Sequence, residues 1–187
     1  MQFMKNKLTI AFSILGLLIV LYVININKQK SYLSTSSKIF HIEKEQINKI
    51  LIQSKGEALE LLKVDTTWTI SGHDSLIIKE DLLNSFFDRV LTLESETIMT
   101  RNENKWATYN VDDSLGTHLA LVDYNDNTLG YYVFGRSAYD YARCYVRTKE
   151  SSHVHLANNN VMYNLQIQPQ YWGESIIEEL PIAPEVQ

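Results

Sequence analysis

The sequence predicts an α+β protein in which an N-terminal transmembrane helix precedes an antiparallel β-sheet domain with one or two packed helices. Three observations support this prediction. A long apolar run lies near the start of the chain, many short runs rich in Ile, Leu, Tyr and Val are separated by turn residues, and one stretch has apolar residues at helical spacing.

The apolar run extends over 19 residues from Leu8 to Ile26 and has lysines on both sides. A helix of that length is about 28 Å long, which matches the hydrocarbon core of a bilayer. A cleaved signal peptide would have a shorter apolar core and a nearby cleavage site of small residues, and a buried core helix would carry a polar stripe. We therefore interpret residues 8–26 as an uncleaved membrane anchor.

The anchor divides the chain into five parts. Residues 1–7 form a short cytoplasmic tail, 8–26 the anchor, 27–45 a Ser/Thr-rich juxtamembrane linker, 46–178 the α+β domain and 179–187 a flexible tail. Lysines before and after the anchor are equal in number, so charge alone does not orient it. A seven-residue tail before a large C-terminal domain favours a domain outside the cytoplasm.

The first half of the domain predicts a meander followed by a helix. Runs at 47–53, 58–64 and 68–70 are separated by turn residues and predict three antiparallel strands. Over 79–93, Leu82, Phe86, Val90 and Leu93 recur at helical spacing, and acidic residues occupy the first turn.

The second half predicts two hairpins. The segments "HLALVDY" and "LGYYVFG" flank the turn "NDNT", and "RCYVRT" and "HVHLA" flank "KESS". The segment 106–114 predicts a helical turn and a loop, and 158–167 a short helix.

Charge and cysteine content limit the function. Four of the 17 Lys and Arg residues flank the apolar run, which leaves 13 against 22 Asp and Glu from residue 31 onward, a net charge of 13 − 22 = −9. Nucleic-acid binding needs a basic surface, so this class is excluded. The single cysteine allows neither an internal disulfide nor a multi-cysteine metal site.

The stretch "GYYVFGRSAYDYARCYVR", residues 130–147, contains five of the eleven tyrosines and three arginines. Alternation places Cys144 inward with small apolar neighbours and places Arg143, Tyr145 and Arg147 on the other face. Those arginines can bind an anion, or can form a solvated face that pairs with acids on the neighbouring strand, and we favour the latter. The ligand-binding residues that the sequence predicts are Tyr139, Tyr141, Arg143, Tyr145 and Arg147.

No catalytic residues are predicted. The chain has no Gly-x-Ser-x-Gly, Gly-x-Gly-x-x-Gly, Walker or His-Glu-x-x-His motif. His153 and His155 lie two apart on a predicted strand and face the same way, with Val154 and Leu156 turned to the core, but a zinc site needs a third ligand that the sequence does not identify. We therefore predict neither a metal nor a cofactor.

The order of these features resembles the family known as domain of unknown function 4340. The segments that carry the resemblance cover roughly residues 45–157: "INKILIQ", "LELLKVDTTWTI", "LLNSFFDRVLTL", "WATYNV", "LALVDYNDNTLGYYVFG", "CYVR" and "HVHLA". The chain departs from the family pattern at "SGHDS", where a proline is expected, and at Tyr109-Asn110-Val111, where Tyr-Gly-Leu is usual. The resemblance implies one N-terminal membrane span, an extracytoplasmic domain and an association with ABC-type transport components linked to gliding systems, and it implies no catalytic residues.

Together, these features predict a non-enzymatic accessory or interaction domain on the bacterial inner membrane, single-pass, with its main domain outside the cytoplasm. Its predicted partners are the membrane and a membrane protein of transport type. The alternative is a binding module for an envelope glycan or a small anionic ligand.

Overall fold

The computed structural model describes residues 15–22 and 37–175. Besides the helical residues of the N-terminal segment, the described ranges contain two α-helices, α1 (Glu80–Val90) and α2 (Pro169–Trp172). The strands are β1 (Ser37–Lys38), β2 (Lys49–Ser54), β3 (Glu57–Val64), β4 (Thr67–Ile70), β5 (Leu76–Ile78), β6 (Glu94–Thr100), β7 (Thr117–Val122), β8 (Thr128–Arg136), β9 (Cys144–Thr148), β10 (Val154–Ala157) and β11 (Gly173–Ser175). Short 3-10 turns occupy Lys44–Gln46, Glu103–Lys105, Ala107–Tyr109 and Met162–Asn164.

Nine strands form one antiparallel sheet in the order β1-β6-β10-β9-β8-β7-β2-β3-β4, and β5 pairs with β11 in a small second sheet. The predicted meander is β2-β3-β4, and the predicted hairpins are β7-β8 and β9-β10. The α+β fold class is therefore confirmed.

The main core lies between one face of this sheet and α1. The helix buries Leu83, Phe86, Phe87 and Val90, of which Phe86 and Val90 belong to the predicted stripe. Leu82 of that stripe is half-buried, and Leu93 is buried beyond the helix, which ends at Val90. Phe86 also contacts Trp172 of α2, with ring centroids 6.0 Å apart. The second face of the sheet carries a smaller core formed by Val111, Val133 and Val154.

Several elements differ from the sequence prediction, which contains neither β5, β11 nor α2. Strand β6, "ESETIMT", was not expected, because its apolar residues do not alternate. The predicted helix at 158–167 reduces to the single turn Met162–Asn164. Side-chain oxygens of Asn159 and Asn160 accept hydrogen bonds from the backbone N–H groups of Asn160 and Met162, and such local bonds compete with helix formation.

The predicted anchor at 8–26 is described only over residues 15–22, which are helical with exposed side chains. Among the described residues, no helix combines the length and the apolar character that crossing a bilayer requires. The predicted tail 1–7, the linker residues 27–36 and the tail 179–187 lie outside the described residues.

The rest of the predicted linker, residues 37–45, packs on the domain. Phe40 is buried against Tyr132, with ring centroids 4.1 Å apart, and the Ile39 N–H donates to the Leu93 carbonyl at 3.0 Å. Residues 37–45 therefore belong to the domain, which the sequence places only from residue 46 onward.

Candidate functional site

The tyrosine-rich stretch forms β8, β9 and the loop between them, with Arg136 opposite Cys144. Cys144 points into the main core, as alternation predicts, and its thiol donates to the Asn159 carbonyl at 3.3 Å. Burial raises the pKa of this thiol to about 11. The thiol therefore stays protonated near neutral pH, which is the behaviour of a structural cysteine.

Arg147 is not on a solvated face, contrary to the sequence prediction. It is only 4% exposed because residues 101–116 cover this side of the sheet. Its guanidinium lies 3.9 Å from the centroid of the Trp106 ring and donates to the Val111 carbonyl at 2.5 Å and to the Asp113 carboxylate at 2.7 Å. These four residues, which we call the Arg147 clasp, hold the covering loop on the sheet.

Arg143 and Tyr145 are also engaged within the protein. Arg143 bridges the carboxylates of Asp140 and Glu96, at 2.5 Å each. The predicted pairing with acids therefore exists, but Asp140 lies in the same loop and Glu96 lies on β6, two strands away. Tyr145 packs edge-on against Tyr109, with ring centroids 4.9 Å apart.

The five predicted ligand-binding residues are thus not brought together on one surface. Tyr139 and Tyr141 remain free, at 96% and 80% exposure. Ser137 orders their loop, since its hydroxyl accepts from the Asp140 N–H at 3.0 Å. Of the predicted set, these two tyrosines are the side chains that solvent and a ligand can reach most freely.

The histidine pair lies beside β6. The rings of His153 and His155 are 6.2 Å apart, and Val154 and Leu156 are buried as predicted. His155 is half-buried rather than solvated, because its Nδ1 lies 2.8 Å from the Ser95 hydroxyl. Burial, with the nearby His153 and Arg101, lowers the pKa of His155.

This Ser–His contact does not form a reachable nucleophile, because Ser95 is only 1% exposed. Within the described ranges, no three His, Cys, Asp or Glu side chains come together as a metal site. The contact instead ties β10 to β6, which neighbour each other in the sheet.

A groove lined by both polar and apolar residues opens at the end of the sheet where β8 finishes, and we call it the polar groove after its charged and amide side chains. It consists of two cavities of about 420 and 450 Å³ that share Arg136, Met162 and Gln166. The first cavity extends toward the β2–β3 turn and the second toward the 136–142 loop. The other lining residues are Ser54, Lys55, Asn110, Leu115, Thr117, Phe134, Leu165, Ile167 and Gln168 in the first cavity, and Tyr141, Ala142, Asn159, Asn160 and Tyr163 in the second.

The groove has cationic residues and no acidic ones. Arg136 and Lys55 are its charged residues, and no carboxylate lines either cavity. Both side chains are exposed, and neither forms an ion pair with another residue in the described part of the chain. Arg136 therefore differs from Arg143 and Arg147, whose guanidinium groups are already occupied.

Side-chain amides hold the walls of the groove. The Asn110 amide donates to the Arg136 carbonyl at 3.1 Å, and the Asn160 amide donates to the Tyr141 carbonyl at 2.8 Å. Asn110 adopts a left-handed conformation with φ of 54°, which Asn tolerates better than most residues. The groove walls are thus fixed by contacts to backbone carbonyls, while the side-chain amide of Gln168 and the Oε1 atom of Gln166 make no hydrogen bond to a described residue.

The sequence did not predict this groove. Its residues come from four separate segments, near positions 55, 110, 136 and 160–168, which are adjacent only in the folded sheet. The one local signal is the amide-rich run "NNNVMYNLQIQ", which local pattern alone interpreted as a helix.

The fold and the site define a class: an α+β domain built on one large antiparallel sheet, with a groove at one end of that sheet. The family model for Domain of unknown function (DUF4340) matches residues 68–181. Because this match covers more than half of the chain, the protein belongs to that family, as its sequence features indicate. No curated protein and no solved structure matches the chain.

Proposed function

We propose that the protein is a non-enzymatic accessory domain, anchored by residues 8–26 in the bacterial inner membrane and acting outside the cytoplasm beside an ABC-type transport complex. One structural observation supports the close tether that this role needs. Strand β1 pairs with β6 at the edge of the sheet, in the register Ser37–Ser95. A strand of the sheet thus lies only ten residues after the apolar run ends.

That spacing limits how far the domain can stand from the membrane. Ten extended residues reach at most about 36 Å. A domain held this close to the bilayer is suited to contacting the extracytoplasmic part of a membrane protein. The acidic net charge disfavours contact with anionic lipid headgroups, so a protein partner is favoured over the lipid surface.

The partner is tested by capture from the native membrane in mild detergent, with a tag on the full chain. We expect a transport-type membrane protein to be recovered with it. The control is the same domain carried on a cleavable secretory signal in place of residues 1–30, which should lose most of the partner. Recovery of the tagged chain alone from both samples would contradict the proposal.

The orientation is tested by labelling introduced cysteines, because the single native cysteine contributes little background. Cys144 is buried and its thiol pKa is raised to about 11, so it gives little background. An Asn104→Cys variant, exposed on the domain, should react with a membrane-impermeant maleimide in spheroplasts, whereas Asn6→Cys should react only after lysis. The reverse pattern would place the domain in the cytoplasm.

A second candidate function is binding of an envelope glycan or a small anionic ligand. The observation that favours it is the polar groove, where Arg136 is exposed without a carboxylate partner. Of the residues that the sequence proposed for this role, Tyr141 lines the groove and Tyr139 lies in the adjoining loop.

A further inference from the structure

The charge of the groove is opposite to that of the domain around it. The chain from residue 31 onward carries a net charge of −9, yet both charged residues that line the groove are cations. Arg143, which follows Arg136 in the same hairpin, is instead neutralised by Glu96 and Asp140. A guanidinium left unpaired in a concave site is suited to a two-point contact with a carboxylate.

The groove also offers aromatic surfaces beside its cations. Tyr141 and Tyr163 line the same cavity, and both rings are mostly exposed. Tyr163 is held from behind by Tyr171, with ring centroids 5.1 Å apart at 85°. Exposed tyrosines combine an apolar face with a polar tip, which suits a ligand that has both C–H faces and hydroxyl groups.

The amides supply the remaining polar contacts. Asn159, Gln166 and Gln168 bring side-chain amides to the groove, and each amide can both donate and accept a hydrogen bond. This combination fits the hydroxyl groups of a sugar better than it fits a phosphate, which only accepts hydrogen bonds from its neighbours and would favour more cations. Each cavity lies within the range of about 300–1,000 Å³ that is usual for ligand sites.

We propose that the polar groove binds an acidic oligosaccharide, a chain of sugars that carry carboxylates. Arg136, shared by both cavities, contacts a carboxylate in two points, Tyr141 and Tyr163 stack on sugar faces, and Lys55 contacts a second carboxylate at the far end. The proposal rests on the second candidate function and specifies the ligand class of that site. It is independent of the transport partner.

The test uses the full chain in detergent micelles, titrated calorimetrically with a tetramer of galacturonic acid. The matched probe is the methyl ester of the same tetramer, which keeps the sugars and removes the charges. The matched variants are Arg136→Gln and Arg101→Gln, because Arg101 is another exposed arginine with no ion pair in the described ranges and lies outside the groove.

We expect the acid tetramer to bind in the millimolar range or tighter and the ester to bind at least tenfold more weakly. Arg136→Gln should weaken binding about tenfold or more, the value of a charge-assisted hydrogen bond, while Arg101→Gln leaves it unchanged. Tyr141→Ala should cause a smaller loss. Tyr141 is exposed, so this variant folds and gives a second measure of the site.

Four results would overturn the proposal: no binding of the acid tetramer, equal binding of acid and ester, equal binding by the two arginine variants, or displacement by inorganic phosphate at the same concentration. Partner capture with Arg136→Gln separates this proposal from the accessory role. If the variant loses the tetramer and still recovers the membrane partner, the two functions are distinct. If the wild type recovers a partner but binds no tetramer, the glycan proposal alone fails.

Discussion

The two strands of the β8–β9 hairpin each carry an arginine, and the two arginines have opposite environments. Arg147 on β9 is buried in the Arg147 clasp, where a tryptophan face, a carbonyl and a carboxylate contact its guanidinium. Arg136 at the end of β8 is exposed in a groove that contains no carboxylate. The two residues lie in one 18-residue stretch that looks uniform in sequence. Burial, rather than residue type, separates the structural arginine from the one available for binding.

The largest expected effect is that of removing the buried arginine. Arg147→Met should lower the free energy of unfolding by about 2–4 kcal/mol, since it removes charged hydrogen bonds to Val111 and Asp113 and the contact with Trp106. Urea unfolding measures this loss. Asp113→Asn is the matched control and should cost less than about 1 kcal/mol, because the Asp113 side chain is 87% exposed. Equal losses in the two variants would show that the ion pair alone holds the loop.

A second prediction concerns how closely the covering loop approaches β8. A Cβ atom at Gly135 would lie 2.0 Å from the Tyr109 carbonyl oxygen and 2.8 Å from that of Asn110. Because these are backbone atoms, Gly135→Ala should displace the loop and lower the free energy of unfolding by about 1–3 kcal/mol. Thermal unfolding measures it. Gly16→Ala, with nothing within 4 Å of its Cβ, is the control and should leave the domain unchanged.

The third prediction is a pH dependence at His155, which lies outside the Arg147 clasp but, like Arg147, is engaged within the protein. The pKa of His155 is lowered by burial, so the folded state resists its protonation. The unfolded state then binds more protons, and stability is complete above the ordinary histidine pKa of about 6.5 and is lost as the pH falls toward the folded value.

Urea unfolding between pH 5 and pH 7.5, about one to one and a half units either side of that pKa, tests this. His155→Gln should flatten the lower part of the profile, whereas His73→Gln, at an exposed site, should leave the profile as it is. NMR titration of the His155 ring should give a midpoint below 6.5. A midpoint above this value would reverse the sign of the effect.

The elements that sequence predicted are those with a local signal. Helix α1 has apolar residues at 3- and 4-residue spacing, and the β7–β8 hairpin has turn formers between two apolar runs. Strand β6 has no such signal, because its place depends on pairing with β10, about 60 residues away. The spacing of apolar residues could not identify it.

The same limit explains the candidate site. The alternation of side chains along β9 correctly predicted that Cys144 points to the main core and that Arg143, Tyr145 and Arg147 lie on the other face of the sheet. It carries no information on which residues cover that other face. Residues 101–116 cover it, and they pack there through contacts such as Tyr109–Tyr145. The groove, in turn, depends on residues from four segments, so only the exposed tyrosine Tyr141 was common to the predicted set and the groove lining.

The smallest expected effect on stability is at Arg136, and it gives the comparison its sharpest test. Arg136→Gln should change the free energy of unfolding by no more than about 0.5 kcal/mol, because the side chain is exposed and has no ion pair within the described residues. Urea unfolding beside Arg147→Met measures the contrast under identical conditions. A loss at Arg136 as large as that at Arg147 would make the groove a structural feature like the clasp. A negligible loss means that folding does not require this cation in a carboxylate-free groove, which leaves ligand binding as the role that fits its position.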